Sequence, residues 1–352
     1  MVPADSVRRW LAQFAEEDRP AALLLLERIH YHSYPQLVRE LRTLHRMLLA
    51  RLAAAGFDAE SLGDVDFSRE FTCKSGDLIS YLYRRANLIP TVDFSTFEAL
   101  IARADRDPGA GRDRALVILD DYIGTGSQFV FQFVARSDDD IRVIGGYRRV
   151  YLCCVAAHEE AFRKGRLLQA GRFDEAIRIE EEQITCADFR PEEEAFRQAL
   201  AEIDWRRIEL IPVFRDRSVL EESGAGEGRA GGAAPDGMSA DGTAVAVGAA
   251  ASDGATVADL PPLTAEQRTA LERLLDTYTL EGCEGGTSVL LGTHAFFYGA
   301  PNSLPPILLP LFKRVEDFTI YPEDTFIDIT TDIIDYDLDA GPGPRIVRTD
   351  GG

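Results

Sequence analysis

The chain has 352 residues, a formal net charge of -21 and 45% hydrophobic residues. At roughly 150 residues per domain, that length fits two domains or one large domain with additions, and the apolar share is ample for a folded core. So acidic a balance argues against a broad nucleic-acid-binding surface, which needs clustered Lys and Arg to neutralise phosphates.

The positive charge gathers in the first half, in RRWLAQF, RELRTLHRMLLAR and YRRVYL, whereas the last quarter is acidic. Five cysteines (Cys73, Cys153, Cys154, Cys186 and Cys283) form no CxxC pair, so reduced thiols in a cytosolic compartment are expected. The opening MVPADSVRRWLAQF lacks the apolar centre of a signal peptide. No run approaches the roughly 18 consecutive apolar residues of a membrane span. A soluble, cytoplasmic protein is the expectation.

Residues 5 to 56 carry helical periodicity that Gly56 stops, and the SYP at Pro35 separates two helices. His30 and His32 bracket Tyr31 with no Cys or carboxylate at metal-ligand spacing, and read as helix-surface histidines. A short strand near FSREFTC leads to Lys74–Ser75–Gly76 and a helix over DLISYLYRRANLI, whose Arg84 and Arg85 read as solvated. STFEALIARAD predicts a further helix capped by Ser95 or Thr96.

ALVILD is a continuous apolar run, as a strand buried on both faces requires. A helix over QFVFQFVARS follows, with Asp138–Asp139–Asp140 as a solvated turn before the next strand, RRVYLCCVAA. Cys153 and Cys154 are buried in that strand. HEEAFRKGRLLQAG is helical, Glu180–Glu181–Glu182 reads as a solvated helix face, and RIELIPVF adds one more strand. Strand and helix alternate through the centre, so an α/β fold with a parallel sheet is expected. Residues 221–260 are Gly, Ala, Ser and Asp with almost no large side chains, a composition that predicts a disordered insertion. Thr264 and Gln267 fit a capping box at a helix start. An apolar segment, GTHAFFYGAPNSLPPILLPLF, and an acidic tail close the chain.

The chemistry concentrates at residues 115–128. Asp120 and Asp121 end a buried strand, and Gly124–Thr125–Gly126–Ser127 leads on toward a helix. Ligands of open α/β sheets bind at the carboxyl ends of strands, and a Gly-rich turn at a helix start offers backbone N–H groups to an anion. Two carboxylates beside such a turn can accept hydrogen bonds from sugar hydroxyls or help hold magnesium, which favours oxygen ligands.

LVILDDYIGTGSQ resembles the phosphoribosyl-pyrophosphate signature of type I phosphoribosyltransferases. Together with WLAQF, KSGDLISYLYRRANLIP and GTHAFFYGAPNSLPPILL, it resembles the phosphoribosyltransferase-like family of bacterial conflict and antiviral defence systems, PRTase-CE. The resemblance implies a parallel-sheet type I phosphoribosyltransferase-like core (61–220, resumed over 261–335 with a hood), an N-terminal helical extension (1–60) and a flexible tail (336–352). It implies that Asp120 and Asp121 hold the ribose hydroxyls and a Mg2+ ion. It implies, too, that Gly124, Thr125, Gly126, Ser127 and Gln128 cradle the 5-phosphate, and that Lys74, Ser75 and Gly76 meet the pyrophosphate. His294, Tyr298, Asn302 and Ser303 are the polar residues of the closing segment that could reach a ligand, although His294 beside Phe296 and Phe297 also reads as a core histidine. Gln128 stands where that family commonly has Thr. The expected ligand is a ribose-phosphate or nucleotide, with a protein partner encoded nearby as the defence context implies. The chain would be either a pentosyltransferase or a catalytically silent sensor.

Overall fold

The computed structural model describes residues 4–69, 75–90, 94–126, 138–183, 198, 200–220, 261–280, 290–297, 304–312 and 346–348. Its centre is a five-stranded, wholly parallel sheet: β2 (Val65–Arg69), β3 (Phe94–Ser95), β4 (Ala115–Ile123), β5 (Arg149–His158) and β6 (Ile208–Asp216), in the order β3-β2-β4-β5-β6. β4 and β5 are central, and their side chains are buried almost from end to end. That is why both read as unbroken apolar runs. Cys153 and Cys154 are fully buried in β5, and burial pushes both thiols well above their usual range.

Two helical layers cover the sheet. On one face lie α3 (Tyr34–Ala54) and α4 (Ser75–Asn87). α3 buries Leu37, Leu41, Leu44, Leu48 and Leu52, a stripe at helical spacing, against Phe67, Val117 and Tyr151. Pro35 stands in its first turn, where the missing N–H has no intrahelical partner to lose, and Gln36 reaches back to accept from the Ser33 N–H at 3.1 Å. On the other face lie α5 (Phe97–Arg106), α6 (Asp138–Gly146), α7 (Glu159–Gln169) and α8 (Phe173–Gln183). Thr96 caps α5 through the Ala99 N–H, as its sequence implies.

One local expectation changes. Asp138–Asp140 open α6 rather than forming a turn, since carboxylates in a first turn face the positive end of the helix dipole. The helix expected over QFVFQFVARS, the face of Glu180–Glu182 and the 221–260 insertion lie outside the described residues or side chains.

A third layer ties the two ends of the chain together. α1 (Ala4–Leu11) and α2 (Arg19–Glu27) pack with α9 (Ala265–Thr277), β7 (Tyr278–Leu280) and residues 304–312. The Trp10 indole donates to the Ile307 carbonyl at 2.6 Å, and the Tyr278 hydroxyl donates to Asp18 at 2.9 Å. Within the expected tail, β9 (Ile346–Arg348) pairs antiparallel with β7. The first 60 residues therefore divide: α3 builds the central layer, whereas α1 and α2 belong with the C-terminal segment. Thr264 and Gln267 form the expected capping box of α9.

α4 ends on a left-handed residue, Leu88 (φ 58°), while the Ile89 N–H returns to the Arg84 carbonyl at 3.1 Å. Glycine is the usual occupant of such a cap, because a Cβ there crowds the carbonyl. Leu88 is 89% exposed, so its side chain contributes little packing. Leu88→Gly is expected to stabilise the protein by about 0.5–1 kcal/mol, read as a raised urea midpoint at unchanged slope. A lowered midpoint would refute this reading of the cap.

Candidate functional site

The strand order reverses between β2 and β4. From β2 the chain moves outward to β3, then returns past β2 to place β4 on its other side. The helices that follow also part: α4, after β2, lies in one layer, whereas α6, the next described helix after β4, lies in the other. Such a switch point opens a crevice at the carboxyl ends of the two strands, where open α/β sheets bind ligands. Residues 124–126 leave the end of β4, and residues 70–74, which follow β2 in the chain, lie outside the described residues. Thus the topology sets side by side the carboxyl ends of two strands that the sequence separates by some fifty residues.

Asp120 and Asp121 are buried near the end of β4. One oxygen of each accepts the backbone N–H of the next residue at 2.8 Å, Asp121 donating to Asp120 and Tyr122 to Asp121. Leu119 and Tyr122 both join the layer of α3, three residues apart instead of two or four, so the pleat loses its alternation across the acidic pair. Gly126 adopts φ +75°, a conformation that side chains with a Cβ reach only at a cost, and a Cβ there would lie 3.9 Å from that of Ala161. The glycine therefore serves backbone shape, and the loop turns back over the start of α7.

Three polar groups near the same edge escaped sequence reasoning. His158 ends β5 and caps α7, accepting from the Glu160 N–H at 3.2 Å. Its Nε2 is buried and has no hydrogen-bond partner among the described residues. Asp216 ends β6, beside His158 in the sheet register. Lys164 is buried on the face of α7 that carries Ala161, and desolvation holds its amine well below the usual lysine range.

Of the residues singled out by sequence, Asp120, Asp121, Gly124, Thr125 and Gly126 occupy the crevice edge. Ser75 opens α4 and Gly76 is buried in its first turn. Lys74, Ser127, Gln128, Tyr298, Asn302 and Ser303 lie outside the described residues.

The family model described as PRTase-CE matches residues 7–309. The chain belongs to the PRTase-CE family. The matched span runs from α1 through the sheet to the 304–312 segment, so all three layers are part of the family's extent. Nothing among curated proteins or among solved structures matches this chain. The PRTase-CE assignment makes it a phosphoribosyltransferase-like protein, in agreement with its central parallel sheet.

His294 lies in β8 (His294–Phe296), its ring centroid 6.3 Å from that of Tyr122. β8 pairs in parallel with β1 (His30–His32), placing His30 opposite His294 and His32 opposite Phe296. His30 and His32 are thus not helix-surface residues. They alternate within a strand, and His32 is completely buried. A three-residue strand whose partner lies 264 positions downstream has no local periodicity to betray it. Asp216 stands behind His294 and accepts from the Tyr122 hydroxyl (2.6 Å), the Thr293 hydroxyl (2.6 Å), the Arg217 N–H (2.8 Å) and the Thr293 N–H (3.0 Å). This network links β4, through the residue that follows the acidic pair, to β6 and the entry to β8.

Among the described residues, no helix is long and apolar enough to cross a membrane.

Proposed function

We propose that this PRTase-CE protein binds phosphoribosyl pyrophosphate or a related ribose-phosphate at the crevice between β2 and β4. The observation that carries the reading is the acidic pair at the end of a central parallel strand, followed at once by a turn through a left-handed glycine. Asp120 and Asp121 would accept hydrogen bonds from the ribose hydroxyls, and the 124–128 loop would offer N–H groups to the 5-phosphate. Lys74 would bring a point charge to the diphosphate from the segment after β2.

The donor set also fits magnesium: two buried carboxylates whose oxygens are hard ligands, held in place by neighbouring N–H groups. When bound there, the ion would supply charge neutralisation for a diphosphate. The protein's own part is to orient the ribose and to hold the phosphates against backbone dipoles, an electrostatic contribution without a covalent intermediate. The orphaned Nε2 of His158 is a further group that a ligand could engage.

A second reading, a sensor that binds the same ligand without turnover, is favoured by Gln128 where a hydroxyl side chain is common. A role in a bacterial defence system, with a partner encoded nearby, is compatible with either.

Calorimetry with phosphoribosyl pyrophosphate and magnesium tests both. Wild type should bind, and Asp120→Asn/Asp121→Asn should weaken binding at least tenfold, a loss of roughly 1.4 kcal/mol or more. Failure of wild type to bind this compound and common nucleotides would refute the assignment. Binding without pyrophosphate release in the presence of nucleobases would decide for the sensor.

A further inference from the structure

The chain holds five histidines, and three of them meet in one place. The ring centroids of His30 and His32 are 4.4 Å apart, those of His32 and His294 are 5.0 Å apart, and those of His30 and His294 are 5.3 Å apart. Glu40, nearly two turns into α3, turns its carboxylate to both β1 histidines. One oxygen lies 2.7 Å from His32 Nδ1, and the other lies 4.0 Å from His30 Nε2. None of these groups belongs to the acidic pair or the loops of the β2–β4 crevice.

We propose that His30, His32 and Glu40 form a binding site for a divalent transition-metal ion, with zinc the best fit. Two imidazoles and a carboxylate are a donor set that suits zinc, leaving a fourth position open. One ligand atom from each residue lies within 4.8 Å of the other two. Ligands about 2.1 Å from a tetrahedral zinc stand roughly 3.4 Å apart, so side-chain shifts of about an ångström close the site.

A count of protons supplies an independent argument. Glu40, His32, His294 and Asp216 form a row with three gaps: 2.7 Å from Glu40 to His32 Nδ1, 2.7 Å from His32 Nε2 to His294 Nδ1, and 3.8 Å from His294 Nε2 to Asp216. Both ends are acceptors. A neutral imidazole carries one N–H, so two imidazoles can fill only two of the three gaps. The third is indeed broken: His294 is almost wholly buried, yet its Nε2 has no hydrogen-bond partner among the described residues. The Nε2 of His30 is orphaned in the same way.

A metal ion on His30 Nε2, His32 Nδ1 and Glu40 removes both defects. The His32 proton then resides on Nε2 and donates to His294 Nδ1. The His294 proton shifts to Nε2 and faces Asp216. No proton leaves, and all three gaps are filled. The row becomes the outer shell that metal-bound histidines ordinarily have, an N–H donated onward toward a carboxylate. Burial of His32 and His294 favours the neutral imidazoles such a site needs. In this position the ion would join α3 and β1 to the strand that the C-terminal segment contributes.

The test uses the full-length protein with a tag free of histidine, stripped with a chelator and titrated with cobalt(II) and then zinc. Wild type should give the visible absorption of one coordinated cobalt per chain, lost on adding one equivalent of zinc. His30→Ala, at the more exposed edge, and Glu40→Gln should each weaken cobalt binding roughly tenfold or more while their circular dichroism stays native. Asp120→Asn/Asp121→Asn should bind cobalt as wild type does. No stoichiometric binding by wild type would overturn the proposal. So would binding that survives both His30→Ala and Glu40→Gln, or binding that disappears with the acidic pair.

Discussion

Asp216→Ala is expected to destabilise the protein by about 3–5 kcal/mol, the range for stripping a buried charge from its partners. The Asp216 side chain is fully buried and is met by four donors: the Tyr122 and Thr293 hydroxyls and the Thr293 and Arg217 N–H groups. Removing it strands them all in the interior, and each unsatisfied donor costs about 1–3 kcal/mol before relaxation. Asp216→Asn should be only modestly milder, because an amide presents its own N–H groups to a site built of donors. Urea unfolding of the two variants measures this directly. A change below about 1 kcal/mol in both would mean that water replaces the carboxylate, and that the network is not what holds β6 to β4 and β8. Tyr122 also donates its N–H to Asp121, so if the proposed ribose-phosphate site is correct, loss of Asp216 should weaken that binding as well as stability.

The second large effect is expected at the opposite end of the sheet. Asp66 on β2 takes two hydrogen bonds from Arg114 (2.8 and 2.9 Å), two from Arg103 and one from the Tyr147 hydroxyl (2.8 Å). Burial by itself would raise the Asp66 carboxyl, but the hydrogen bonds from Arg114, Arg103 and Tyr147 outweigh it and bring the group to about 2. The folded value is thus depressed below the unfolded one, near 3.8. The resulting stabilisation, about 2 kcal/mol, is fully present above pH 4 and disappears as the pH falls through 2. Asp66→Asn removes it. The stability gap between wild type and this variant should be largest near neutrality and shrink as the pH is lowered from 4 toward 2. A gap that stays constant over that window would contradict the assignment. At neutral pH Asp66→Ala should cost about 3 kcal/mol, since both arginines remain partly exposed and are never wholly stranded.

Both sites show how far the sequence can be read. The parallel sheet was legible because burial on two faces demands an uninterrupted apolar run, and ALVILD and RRVYLCCVAA are such runs. Caps were legible for a similar reason: Thr96 and the Thr264–Gln267 box satisfy N–H groups within three residues of themselves. The acidic pair and its glycine turn could be located because strand, carboxylates and turn are contiguous in the chain.

What the sequence left open were the pairings between distant residues. His30 and His32 look like part of a helical stretch, and only the parallel pairing with residues 294–296 makes them a strand. Glu40 is invisible as their partner because it is eight or ten residues away on a different element. Asp216 carries no local mark at all, its importance resting on donors from three separate segments. Local interactions fix caps, apolar runs and contiguous motifs, since both partners lie within a few residues. The reversal of strand order that sets the carboxyl ends of β2 and β4 side by side, and the meeting of three histidines, depend on which surfaces bury one another. That is a property of the packed chain as a whole, and only the tertiary structure decided it.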